Sequence, residues 1–198
     1  MKAIIFDCDG TLAYTMAVHF EAWSIVAHRY EFIFDEDRFY SLGGWPTEKI
    51  IALLAGEVGK TLDVMAVAHE KEAAYLERLQ QVRPIEPVVA VVREHHGKLP
   101  LAVATGAFRS ICELTLEHIG LTGMFNTLVS CEDVTRHKPE PDVFLEAARR
   151  LNVAPRDCVV YEDTDPGVEA ARRAGMEIVD VRSFFTPRRV TPSSPRGF

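Results

Sequence analysis

The chain has 198 residues, of which 47% are hydrophobic and 26% charged, and its formal net charge is −7. That size and composition suit one globular domain with a substantial core, or one domain carrying a small insertion. The acidic balance argues against a nucleic-acid partner, whose binding rests on neutralising phosphates, and no apolar run approaches the roughly 20 residues needed to cross a bilayer.

Ala3 to Phe6 reads as a short buried strand. It starts so close to the N-terminus that no secretory leader is expected, and the expected location is cytoplasmic. The strand runs into Asp7-Cys8-Asp9-Gly10-Thr11-Leu12. Two carboxylates at the end of a buried strand are costly unless a cation or hydrogen bonds compensate them. A glycosidase pair does not fit, because both acids sit at one strand end.

From Ala17 to Phe34 apolar residues recur at helical spacing, as in Val18, Ala22, Ile25 and Val26. Ser41 to Pro46 breaks the pattern, and the proline marks a helix start. Thr47 to Leu54 and Leu62 to Val82 read as further helices, so residues 14–84 form an all-helical block without a strand. Arg83-Pro84-Ile85-Glu86-Pro87 reads as the linker out of it.

Beyond this linker the pattern alternates. Val88 to His96, Ile111 to Ile119, Pro141 to Leu151 and Pro166 to Ala174 read as helices, the last capped by Asp165. Leu99 to Thr105, Thr127 to Ser130, Cys158 to Tyr161 and Glu177 to Val181 read as strands. The Pro-, Ser- and Arg-rich segment 186–198 reads as a flexible tail. Cys8, Cys112, Cys131 and Cys158 show no paired or zinc-binding spacing, and reduced thiols are expected.

Five short strands separated by helices predict an α/β fold, a doubly wound parallel sheet covered on both faces, with the helical block inserted after its first strand. Ligands of such sheets bind beyond the carboxyl ends of the strands. Asp7, Asp9, Thr105, Gly106, Lys138, Glu162 and Asp163 all fall there. Clustered carboxylates without histidine suit Mg²⁺, with Asp7, Asp9, Glu162 and Asp163 as candidate ligands. The lysine, the threonine hydroxyl and backbone N–H groups after Gly106 suit a phosphoryl group. On this reading Asp7 is a nucleophile that forms an aspartyl-phosphate, and Asp9 carries the proton to and from the reacting oxygens.

Asp7-x-Asp9-Gly10-Thr11, then Thr105, then Lys138-Pro139, then Glu162-Asp163 resembles the four-motif signature of the haloacid dehalogenase superfamily, in order and along nearly the whole chain. The resemblance implies a Rossmann-like core of residues 1–13 and 85–185 with a small helical cap of residues 14–84. Thr15, His19, Trp23 and the stretch His137 to Asp142 are similar to the β-phosphoglucomutase-like branch. That similarity implies substrate-side roles for His19 and, by looser correspondence, for Lys71. In that branch a cap arginine grips the non-transferring phosphate, and Gly43 to Glu48 offers none. The Gly-Trp-Pro-Thr pattern is closer to the fructose-1-phosphate phosphatase-like members. The expected function is therefore Mg²⁺-dependent hydrolysis of a small sugar phosphate. A β-phosphoglucomutase and a non-catalytic phosphate-binding protein are the alternatives. The expected partner is a small phosphorylated metabolite, and a monomer is compatible with the sequence.

Overall fold

The computed structural model describes residues 1–186 and 189–190. Five strands form one parallel sheet: β1 (Ala3–Phe6), β2 (Leu101–Ala104), β3 (Thr127–Val129), β4 (Cys158–Glu162) and β5 (Glu177–Asp180). Their spatial order is β3-β2-β1-β4-β5, which puts β1 at the centre. Ile5 is aligned with Ala102 on one side and with Val160 on the other. This is the doubly wound α/β architecture predicted.

The continuous apolar run of β1 follows from this central place, because both faces of the strand are covered. Ile4 and Phe6 enter one hydrophobic cluster with Val88, Val92 and Leu116. Ala3 and Ile5 enter the other, with Phe144, Ala147 and Ala171. The first cluster lies under α5 (Glu86–His95) and α6 (Arg109–His118), the second under α7 (Asp142–Leu151) and α8 (Asp165–Arg173).

Between β1 and α5 the chain makes four helices: α1 (Met16–Tyr30), α2 (Glu36–Ser41), α3 (Thr47–Glu57) and α4 (Val64–Leu76). They share a third cluster of their own, including Trp23, Phe34, Ile51, Leu54 and Val67. The segment leaves and rejoins the sheet at one place. Ala13 and Pro84 form an antiparallel bridge, Tyr14 N–H donates to the Arg83 carbonyl, and Ile85 N–H donates to that of Leu12.

The predicted helix 17–34 is in fact two structures. Helix α1 stops where Glu31 adopts the left-handed conformation, φ 59°, and donates its N–H to Ala27. The chain then turns Phe32 and Phe34 inward, and the Asp35 side chain caps α2 by accepting from Arg38 N–H. The apolar spacing runs through this turn because Phe32 and Phe34 are buried like the inner face of α1, so periodicity does not mark the break. Leu62 to Val82 likewise resolves into α4 and a separate turn at Leu79–Gln81. The cap of α8 is Thr164 rather than Asp165; its hydroxyl accepts from Gly167 N–H. Most of the predicted tail lies outside the described residues. Arg189 pairs with Asp37 and lies over the Tyr40 ring, and Val190 N–H donates to Glu36.

Candidate active site

The carboxyl ends of β1, β2 and β4, with the loop after β3, deliver the predicted polar residues to one edge of the sheet. Asp7 directly follows β1 and is 4% exposed. Lys138 is buried beneath it. The ammonium donates to Asp7 Oδ1 and to Glu162 Oε1, each at 2.6 Å, and lies 4.9 Å from the centre of the Phe144 ring. Burial opposes the charge on Lys138, but the two carboxylates prevail and hold its pKa above the usual lysine value. Burial pushes Asp7 up to about 7, helped by Glu162 and Asp9 and opposed by Lys138.

Glu162 is fully buried. Besides Lys138 it accepts from Asp163 N–H at 2.7 Å, Thr164 N–H at 2.6 Å and the Thr164 hydroxyl at 3.0 Å. Its carboxylate therefore fixes Lys138 and the turn into α8. Gly167 leaves the space it needs: a Cβ there would stand 1.8 Å from Glu162 Oε1. Asp163 is the β4-end residue turned toward the first loop. The Thr11 hydroxyl donates to its Oδ1 at 3.0 Å. Gly10, at φ +88°, lies so close that a Cβ would meet Asp163 Oδ2 at 2.1 Å. Burial, then Glu162 and Asp7, push the Asp163 pKa well above the ordinary carboxylate range. Thr105 follows β2, and its side-chain oxygen accepts from Ala107 N–H at 3.0 Å.

The helical insert closes over this edge. Gly106 meets the insert so tightly that a Cβ would stand 2.4 Å from the Gly44 carbonyl oxygen. Gly43 makes a similar approach to the Thr164 side chain. Beneath the loop is a cavity lined by Asp7, Asp9, Thr105 and Gly106 from the sheet, and by His19, Trp45, Thr47, Lys71 and Glu72 from the insert. Trp45 both lines this cavity and packs on the hydrophobic cluster of the insert.

A polar chain crosses from insert to core. Lys71 Nζ lies 2.9 Å from His19 Nδ1, and His19 Nε2 lies 3.1 Å from Asp9 Oδ1. An ammonium has no lone pair, so Nδ1 accepts and the ring proton is on Nε2, facing Asp9. The ring is stacked on Tyr75, 4.0 Å between centroids and 9° from parallel, which fixes its plane. Burial acts to raise Asp9, but His19 outweighs it, with Thr15 and Lys71, and holds the carboxyl below its usual value. The two aspartates of the first loop are thus driven in opposite directions by their neighbours.

Lys71 has a further partner absent from the predicted site. Glu72 receives it at 3.1 and 3.2 Å and accepts from the Thr47 hydroxyl at 2.7 Å. A signal was present in the sequence: Lys71 and Glu72 fall at helical spacing from Val67, Ala68 and Tyr75, which puts two charges into a buried stripe. Arg109 stands apart from the cavity lining, bonded to the Leu128 carbonyl and Asp133. Cys8 turns away from the site into the core cluster that also holds Cys112.

This fold and edge define a class: a doubly wound α/β protein in which an aspartate, held by a buried lysine at the end of the central strand, faces a cavity roofed by a helical insert. The family model for haloacid dehalogenase-like hydrolases matches residues 4–181, and the chain belongs to that family. It is 43% identical over 180 residues to the fructose-1-phosphate phosphatase YqaB of Escherichia coli (strain K12), covering 90% of this chain and 95% of the relative. It is 33% identical to the phosphorylated carbohydrates phosphatase of Thermotoga maritima, over 89% of this chain and 83% of that one. A crystal structure of β-phosphoglucomutase from Clostridium difficile superposes with a TM-score of 0.80 at 25% identity, covering 91% of this chain and 84% of that one. Within its family the protein is a phosphatase. No helix among the described residues is long and apolar enough to cross a membrane.

Proposed function

We propose that the enzyme hydrolyses the phosphate monoester of a small sugar, of the fructose 1-phosphate kind, through an aspartyl-phosphate on Asp7. The observation that carries this reading is the pairing of Asp7 with Lys138 at the floor of the cavity. One oxygen of Asp7 is occupied by the ammonium, and the residue lines the cavity beside Asp9. Asp7 attacks phosphorus, a new P–O bond forms, and the ester P–O bond breaks. Asp9 delivers a proton to the departing sugar oxygen. Asp9 then takes a proton from the attacking water, the Asp7–phosphorus bond breaks, and inorganic phosphate leaves. Lys138, the Thr105 hydroxyl and the Gly106 N–H hold the phosphoryl oxygens.

The donor set fits Mg²⁺. Asp7 is buried and Asp163 half-buried; the two carboxylates repel one another and both are driven toward protonation, so a hard cation meets an unmet charge demand. Among the described residues no group of three or more side chains forms a ready-made metal cage. That agrees with an ion that takes one or two carboxylates and keeps its waters. Asp7 and Asp163 would hold it with Asp9 alongside, while Glu162 acts through Lys138. When bound, Mg²⁺ supplies charge neutralisation for the phosphoryl group.

Residues 14–84 act as a cap. The cap delivers the His19 N–H to Asp9, so its closure sets the orientation of the group that moves the proton. Hydrolysis is favoured over a mutase because no arginine lines the cavity among the described residues.

The test is phosphate release from a panel of sugar phosphates with Mg²⁺. Release from fructose 1-phosphate, abolished in Asp7→Asn, is the expected result. No release from any member would sink the reading. Conversion of β-glucose 1-phosphate to glucose 6-phosphate with a bisphosphate primer would replace it with the mutase.

A further inference from the structure

Glu72 stands in the cavity without a part in the chemistry above. It is 4% exposed, and it lines the same space as Asp7 and Asp9. Its carboxylate is bound to Lys71, which is the one lysine or arginine that the insert contributes to the lining among the described residues. A buried ammonium opposite a phosphoryl site would ordinarily attract a second anionic group on the substrate. Here the carboxylate at 3.1 Å cancels that charge, and the remaining bond of Lys71 goes to His19.

The rest of the roof is equally unsuited to an anion. Met16, Trp23, Phe39, Leu42 and Ile50 form its apolar wall. Glu72 accepts from Thr47 and Lys71, and a carboxylate has room for about four donors in all. The free capacity suits a hydroxyl, which donates, and offers no cation to a second phosphate, which is predominantly an acceptor at neutral pH.

We propose that Glu72 is a specificity-determining residue. It accepts a hydroxyl of the leaving group and excludes substrates with a second phosphate, which makes the enzyme selective for monophosphates of neutral polyols. The proposal rests on the sugar-phosphatase reading and names the selectivity of that same site. With Lys71 already paired, a second phosphate held there would lose its hydration without gaining a cation, which costs several kcal/mol. A preference of at least about 30-fold for the monophosphate is expected on that basis.

The experiment compares kcat/KM for fructose 1-phosphate and fructose 1,6-bisphosphate in the wild type and in Glu72→Gln. Both probes present the same phosphate and differ in the second. The expected result is that the wild type prefers the monophosphate by at least about 30-fold and that the variant shrinks this ratio at least about tenfold. Equal kcat/KM for the two probes in the wild type would overturn the inference while leaving the phosphatase reading intact. So would an unchanged ratio in a folded variant, since a merely structural Glu72 would lower the melting temperature and leave selectivity alone. If neither probe is turned over, the phosphatase reading fails first. Calorimetric binding of the two probes to Asp7→Asn then decides the inference by itself: tighter binding of the monophosphate supports it, and equal or reversed affinity refutes it. The wild-type ratio also stands when Glu72→Gln does not fold.

Discussion

Lys138 stands between Asp7 and Glu162, 2.6 Å from each, and is the point at which β1, the loop after β3 and the end of β4 are joined. One ammonium balances two buried carboxylates, so each of the three depends on the other two. Removing one member of such a group leaves an uncompensated buried charge. Lys138→Met is expected to lower kcat by at least about 10²-fold, the usual scale for losing one charge-stabilising donor. Steady-state phosphate release measures it. Because the ammonium is enclosed against Phe144, Lys138→Arg should not restore the rate.

Gly167 tests the same arrangement from behind. A methyl group there would collide with the Glu162 carboxylate. Gly167→Ala should destabilise the protein by about 1–3 kcal/mol, as overpacking does, and should also reduce kcat by displacing the partner of Lys138. Thermal unfolding and turnover should fall together. A variant that loses stability but keeps its rate would separate Glu162 from the function of Lys138.

The His19–Asp9 contact predicts a change in pH dependence rather than a simple loss. His19→Ala removes the N–H that holds Asp9 below its usual pKa. Asp9 must be protonated to serve the departing oxygen in the first step, so the basic limb of the kcat/KM profile should move to higher pH, with kcat reduced by about 10²-fold, the scale of a misdirected proton transfer. An unshifted basic limb would show that the contact does not tune Asp9.

Metal removal gives a measurement independent of turnover. Mg²⁺ at about 100 times its dissociation constant should add roughly 2.7 kcal/mol to stability, or about 5–10 °C in Tm for a chain of this size. Chelation should abolish both this increment and activity. Asp163→Asn should abolish the increment without reaching the core.

Far from the cavity, Asp133 ties α6 to α7. It accepts from Arg109 at 2.6 Å, Arg150 at 2.8 Å and Ser130 N–H at 2.8 Å. Burial works against its charge, but the Ser130 N–H, the Arg150 guanidinium, the Ser130 hydroxyl and Arg109 together hold the carboxyl down at about 2. A depressed acid contributes its stability above its unfolded pKa of about 4 and loses it as pH falls toward its folded one. Asp133→Asn should therefore cost about 2 kcal/mol at pH 7, and the gap to the wild type should close between about pH 4 and 2. Urea unfolding across that range checks the sign.

The sheet, the helical insert and the chemistry-bearing residues of the edge are legible from residue order. Buried parallel strands must be apolar on both faces, and polar groups at their ends are too costly to be incidental, so Asp7, Asp9, Thr105, Lys138 and Asp163 are legible one strand at a time. What sequence order could not supply was which group touches which. Glu162 and Asp163 are neighbours in the chain, yet successive residues at a strand end point to opposite sides. One reaches Lys138 and the other the first loop. The break after Tyr30 was hidden for a related reason, since inward-facing phenylalanines continue the apolar pattern through a turn. Lys71, His19 and Glu72 come from two helices of the insert and meet only once it has folded onto the sheet. Charge compensation over a few ångströms decides their roles, and those distances exist only in the tertiary structure.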